Sequence, residues 1–428
     1  MQNKRLVVTL AVCLALVGAF YLSYSFVTRY HENKAEEYAQ GDQAEKQHYL
    51  DSIEGSMSVT IEVSVKDILY ELSGKNQSPA YVNAIAAAEN ANADDYLAVF
   101  FKSLKDAKVP YANIFSSITL NDKIKSDSSD EDVETVVRAE VESAIDYSFN
   151  VLCTRIDRFG VVQPSFQKLS QTGRILIELP GVKEPERVRK LLQGSGNLEF
   201  WETYELAEIF PVLAQINEAT TVYEENDSAD VVEEVNVASS LFAKLQPSLY
   251  QTGQPHGGPV VGTVHYTDTA KVMAILNSNV AKSLLPRDLK LAWTVKAIDA
   301  AESQYQLIAL KSSGRDLSPA LAGDMITDAR ADFGQRSTYA NVSMKMNSEG
   351  THRWQFITRN NIGRSIAIVL DGYVYSFPTV QNEITGGHLQ IPGNFTLDEA
   401  KDLANILNSG KMPASARIVD EVVVGPSR

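Results

Sequence analysis

The sequence predicts an α+β protein: a single N-terminal membrane helix, a base of β-α-β-β-α-β order, and an α/β head subdomain inserted into it. Three observations carry this expectation. Leu6 to Val27 contains no charged residue. Residues 132–202 read as helix, strand, strand, helix, strand, with an alternating strand in front. The strand-helix-glycine-strand unit of 174–202 recurs at 388–424, as an internal pseudo-repeat.

At 1.5 Å per residue the Leu6–Val27 run is about 33 Å long, enough to cross a hydrocarbon core of about 30 Å. A cleaved leader normally has a shorter apolar stretch, so the run is read as a retained anchor. Lys4, Arg5 and the terminal amine precede it, and Arg29 and Lys34 follow it. The amine and the short tail favour an N-terminus inside and residues 29–428 on the other face.

Val59, Ile61, Val63 and Val65 alternate, which is a strand pattern. Ala80 to Lys108 is helical in character. Asp132 to Arg158 carries apolar residues at spacings of three and four, from Val133 through Leu152 to Ile156, which make one buried stripe. Gly160 ends that helix. Phe166–Ser170 and Arg174–Leu179 are paired strands, Pro185 opens the helix that Gly194 closes, and Asn197–Glu202 is the next strand. This is the order of a ferredoxin-like unit. Leu289–Val295 and Tyr305–Leu310 form a hairpin, as do Ser365–Leu370 and Tyr373–Phe377 around Asp371-Gly372. Thr396 and Glu399 make a capping box, and Gly410 stops the helix before a closing strand at Arg417–Val424. The expected segments are a tail and anchor (1–28), a spacer (29–55), a ferredoxin-like base (56–205), an inserted head (206–345) and a returning segment (346–428).

A net charge of −15 over 428 residues argues against a nucleic-acid surface, which needs a basic stripe. The two cysteines, Cys13 in the apolar run and Cys153 in the long helix, do not make a disulfide scaffold. Gly257 to Gly262 has phosphate-loop spacing, but Thr263-Val264 stands where Lys and Ser or Thr are needed. Gly194-Ser195-Gly196 follows a helix and precedes a strand, the reverse of a dinucleotide fingerprint. None of the six histidines has metal-ligand spacing. No catalytic, cofactor-binding or metal-binding residue is assigned. Val342, Met344 and Met346 read as core, with an adaptable polypeptide groove as the sharper alternative.

Several motifs in order resemble a known family. Asp157-Arg158-Phe159-Gly160-Val161, the run Gly173-Arg174 through Pro180-Gly181-Val182, and Pro185-Glu186-Arg187-Val188 are similar to the first periplasmic domain of SecD. So are Asn361-Ile362-Gly363-Arg364, Ala367 to Asp371-Gly372, Gly393-Asn394-Phe395-Thr396, Leu403-Ala404-Asn405 to Ser409-Gly410, and Val424 to Ser427. The resemblance marks Gly160, Gly173, Arg174, Pro180, Gly181, Gly363, Asp371, Gly372, Gly393 and Gly410 as structural family positions. It implies a SecD/SecDF-type accessory subunit of the Sec translocase in the inner membrane. The bulk would be periplasmic, a base and a mobile head that grip unfolded preproteins, with SecF and SecYEG as partners and no cofactor. Two departures matter. The family's Gly-Leu-Asp-Leu-x-Gly-Gly is replaced by Leu50 to Ser56, with one glycine left. The sequence also stops where the family's second membrane helix would begin, as in a truncated frame or a stand-alone relative, so the proton-carrying helices are not in it. The rival expectations are a membrane-tethered extracytoplasmic enzyme and a purely structural partner-binding domain.

Overall fold

The computed structural model describes residues 56–91, 93–161, 163–225, 240–299, 301–314, 317–333 and 339–424. The apolar run at Leu6–Val27 and the segment up to Gly55 lie outside the described residues. Among those described, no helix is long and apolar enough to cross a membrane.

Strand β1 (Ser56–Val63) buries Met57, Val59, Ile61 and Val63 and turns Ser58, Thr60 and Glu62 the other way. Four helices follow: α1 (Val65–Leu72), α2 (Pro79–Ala91), α3 (Tyr96–Asp106) and the single turn α4 (Ala112–Phe115). The expected helix over 80–108 is thus two. The Asp95 side chain accepts from the Ala98 amide, and this N-cap restarts the helix after a polar break. Helix α5 (Asp130–Phe159) is capped by Ser129, carries Asp130, Glu131 and Asp132 at its positive end, and stops at Gly160, at φ 90°. Then come β2 (Ser165–Lys168), β3 (Arg174–Pro180) and α6 (Pro185–Gln193).

Next are β4 (Leu198–Thr203), α7 (Leu206–Glu225), α8 (Leu241–Lys244), β5 (Gln246–Pro247), β6 (Val260–His265), α9 (Thr269–Leu276) and α10 (Asn279–Leu284). The antiparallel pair β7 (Leu289–Trp293) and β8 (Gln304–Lys311) follows, with β9 (Leu321–Ala322), β10 (Ile326–Phe333), β11 (Ala340–Met346) and α11 (Ser348–Asn360). The chain ends through β12 (Ile366–Leu370), β13 (Tyr373–Ser376), β14 (His388–Phe395), α12 (Leu397–Ser409) and β15 (Ala416–Val424).

Among the described residues three sheets result. The first has four strands in the order β15-β1-β3-β2, all antiparallel, with α5 and α6 as its crossing helices. The second has three, β10-β11-β14, and the largest runs β13-β12-β4-β8-β6-β5 with β7 and β9 attached. The strand at Asn197–Glu202, expected as the fourth of the base, is instead β4 of the largest sheet, paired with β12. Its burial explains the difference. Leu198 and Phe200 enter one core and Trp201 another, so both faces are covered, as in a central strand. The fourth place beside β1 goes to β15, where Ala416 and Ile418 lie opposite Val63 and Ile61.

The recurrence between 174–202 and 388–424 therefore has a topological meaning. β3-α6-β4 carries the chain from the four-stranded sheet to the largest sheet, and β14-α12-β15 carries it back from the three-stranded sheet. Helix α12 packs between α5 of the base and the three-stranded sheet. Val342, Met344 and Met346 are core residues of that sheet, along with Trp354 and Leu403.

Candidate functional site

The two crossings meet at one buried cation. Arg155 stands on the buried stripe of α5, between Leu152 and Ile156, and is 0% exposed. Its Nη1 donates to Leu191 O at 3.0 Å and to Gly194 O. Nη2 donates to Ser195 O at 3.4 Å and Gly410 O at 3.2 Å, and Nε to Ser409 Oγ at 2.9 Å. Asn405 Nδ2 donates to the Arg155 carbonyl at 2.8 Å, and the Met412 amide donates to Ser195 O at 2.7 Å. Gly194 and Gly410, the equivalent stops of the two repeated units, thus hand their carbonyls to one guanidinium. Gly196, at φ 75°, is fixed by crowding: a Cβ there would lie 2.9 Å from Arg155 Nη2.

The nearest anion in this network is Asp371. Its carboxylate accepts from Ser195 Oγ, from the Asn197 amide at 2.8 Å and from the Gly196 amide at 3.3 Å. Asp371 (φ 52°) and Gly372 (φ 85°) form the tight turn of the β12–β13 hairpin. Burial pushes the Arg155 guanidinium down to about 10, with Asp371 pulling it back, so it stays protonated at neutral pH. A second tie is bidentate: Arg187 Nε and Nη2 of α6 each reach Asp402 of α12 at 2.8 Å. Apolar packing accompanies these polar links: Leu191 is buried at the joint, and Ile406 of α12 lies against Gly194 and Gly196.

A cleft of about 220 Å³ opens in the inserted body. Thr294, Lys296, Gln306, Val374, Tyr375, Phe377 and Phe395 line it. The Val295 amide donates to Val374 O at 2.9 Å, Lys296 Nζ donates to Glu399 Oε2 at 2.8 Å, and Tyr375 and Phe395 rings lie 6.1 Å apart. Burial pushes the Tyr375 hydroxyl up to about 12. The volume is below the roughly 300–1,000 Å³ of typical small-molecule pockets, and it suits one apolar side chain.

Burial pushes the Glu399 carboxyl up, but the hydrogen bonds from Lys296 and the Thr396 amide outweigh it and hold the pKa below the ordinary value. A depressed carboxylate contributes stability above its unfolded pKa and loses it as pH falls. Acidification through about pH 4 is therefore expected to cost the Thr396 amide its protection against hydrogen exchange. Glu399→Gln removes that step, and a step that survives the substitution excludes Glu399 as its source.

Of the family positions marked in the sequence, the joint gathers Asp371, Gly372 and Gly410. The others lie apart. Gly160 caps α5, Gly173 makes the β2–β3 turn, and Pro180 and Gly181 end β3. Arg174 pairs across strands with Glu62, which Arg417 also holds, at 3.0 and 2.6 Å. Gly363 donates its amide to Val380 O, and Gly393 lies in β14. Arg155 was not among the marked residues. Its signal is a charge on the apolar stripe of a helix, where only a fully hydrogen-bonded cation is tolerated. Among the described residues, no group of three or more His, Cys, Asp or Glu is placed to hold a metal ion.

Comparison with known proteins bears on both crossings. Residues 145–205 match the family described as protein translocase subunit SecDF, P1 domain, N-terminal. Residues 298–414 match SecDF, P1 head subdomain. Protein translocase subunit SecD of Rhodothermus marinus is 35% identical over 391 residues, 88% of this chain and 62% of that protein. SecD of Syntrophobacter fumaroxidans is 27% identical over 68% of this chain and 42% of its own. A crystal structure of SecDF in a super-membrane-facing form covers 88% of this chain and 31% of its own at 19% identity, with a TM-score of 0.41. The matched segments define a mixed α/β protein of the SecDF P1 class. The chain belongs to the SecD/SecDF family, and it spans under two thirds of the length of the two curated relatives.

Proposed function

We propose that this chain assists the translocation of polypeptides across the inner membrane as a periplasmic SecD-type module, held by Leu6–Val27 with its N-terminus in the cytoplasm. SecF and SecYEG are its proposed partners and unfolded preproteins its clients. The base is read as ferredoxin-like and runs over 56–193 and 412–424, with the head over 198–409. The observation that carries the reading is the match of residues 145–205 and 298–414, which meet at the Arg155 joint, to SecDF P1 families. The aromatic cleft supplies a place for contact, because an extended chain needs shallow apolar pockets for alternate side chains rather than one deep cavity.

The test is a photo-crosslinking residue placed at Tyr375 or Phe377 of the full chain in inner-membrane vesicles during export. Adducts with the exported polypeptide are expected from both positions. Adducts with translocon subunits alone would reduce the protein to a structural partner.

A further inference from the structure

The contacts of Arg155 divide between two stretches of backbone far apart in sequence. One is Leu191–Ser195, where the chain leaves the four-stranded sheet, and the other is Ser409–Gly410, where it turns back. Each leads along a stiff element to a wall of the cleft. The Ser195 hydroxyl and the Asn197 amide hold Asp371, the turn of the hairpin whose second strand supplies Val374 and Tyr375. Ser409 is the last residue of α12, and about 15 Å away along that helix its first turn holds Glu399, which fixes Lys296 at the cleft. Phe395, just before the Thr396 cap, completes that wall.

Neither element has a soft point between joint and cleft. Helix α12 is closed by a full capping box at Thr396 and Glu399, and the hairpin has a two-residue turn in which the Asp371 amide and carboxylate are both engaged. The joint itself is different in kind. Its named links are directional hydrogen bonds, made beside the buried Leu191 and against Ile406 of α12. Five donations from one planar guanidinium favour a single setting of the two backbones they join.

We propose that Arg155 is a positioning residue for the cleft: by tying the two crossings together it sets the spacing between the hairpin wall and the helix wall. The orientation of the inserted body on the base and the width of the cleft then change together. The proposal rests on the reading above only for the occupant, an apolar side chain of an extended polypeptide; the mechanical coupling stands without it.

The decisive variant is Ser195→Ala in the full chain, which removes one hydroxyl and leaves the guanidinium in place. Hydrogen exchange is read at the Val295 amide, which bridges to Val374 at the cleft, and at the β1 amides as the reference. Losing a hydrogen bond to a carboxylate is expected to speed exchange at Val295 by about tenfold and to leave β1 unchanged. Ser195→Thr keeps the hydroxyl and is expected to restore the slow rate. Faster exchange confined to 194–197 and 371, or spread equally into β1, overturns the coupling. A cleft that answers to Ser195→Ala but crosslinks no exported chain sinks the polypeptide reading alone.

Discussion

Replacing Arg155 by methionine is expected to lower the stability of the full chain by about 3–5 kcal/mol. Methionine nearly fills the volume, so little of the loss comes from packing. The loss comes from Leu191 O, Gly194 O, Ser195 O, Gly410 O and Ser409 Oγ, which lose their donor in a region from which water is excluded. Asp371 keeps its amide donors but loses the cation that offsets its charge. Arg155→Lys keeps the charge, but three donors at a point do not replace a planar fork that serves two separate backbones, so only partial recovery is expected. Urea unfolding followed by circular dichroism measures the effect. A loss below about 1 kcal/mol would mean that the carbonyls find water, and that the joint is wetter than its burial indicates.

The parts of this molecule that follow from local chemistry were legible in the sequence. Asp371-Gly372 is a turn because its two residues adopt positive φ at little cost, and Thr396 with Glu399 is a cap because each satisfies the other's backbone. The long helix, its acidic first turn and its glycine stop are equally local. The fourth strand of the base was not legible. Leu198–Thr203 and Ala416–Val424 are both short and apolar enough to lie beside β1, and nothing within either segment says which does so. The choice is made by Trp201, which needs a second core on the far face of its strand, and that core is built from Ala292, Ile308, Leu310, Ala367 and Val369, all far along the chain. The joint was half legible. The glycines that stop the two repeated helices stood out, but the residue that joins them sits on a third helix. On paper it is only an interruption in a stripe.

Gly173 and Gly160 separate what a left-handed backbone costs from what crowding costs. Both have positive φ, 83° and 90°, so alanine at either pays about 1–2 kcal/mol for its Cβ. At Gly160 no atom of the described residues lies within 4 Å of that Cβ, and the cost ends there. At Gly173 it would stand 2.7 Å from Val63 O and 3.4 Å from Val65 Cγ2. The first contact is backbone of a strand paired on both sides, so it cannot yield without moving β1 against β3 and β15. The same approach carries the 2.8 Å bond from the Val63 amide to Gly173 O, so relieving the clash stretches that bond as well. Gly173→Ala is therefore expected to cost about 3 kcal/mol or more, and Gly160→Ala about 1. Parallel urea titrations of the two variants measure the gap. Equal losses would show that the β2–β3 turn moves away from β1 freely, and that the glycine at 173 serves backbone conformation alone.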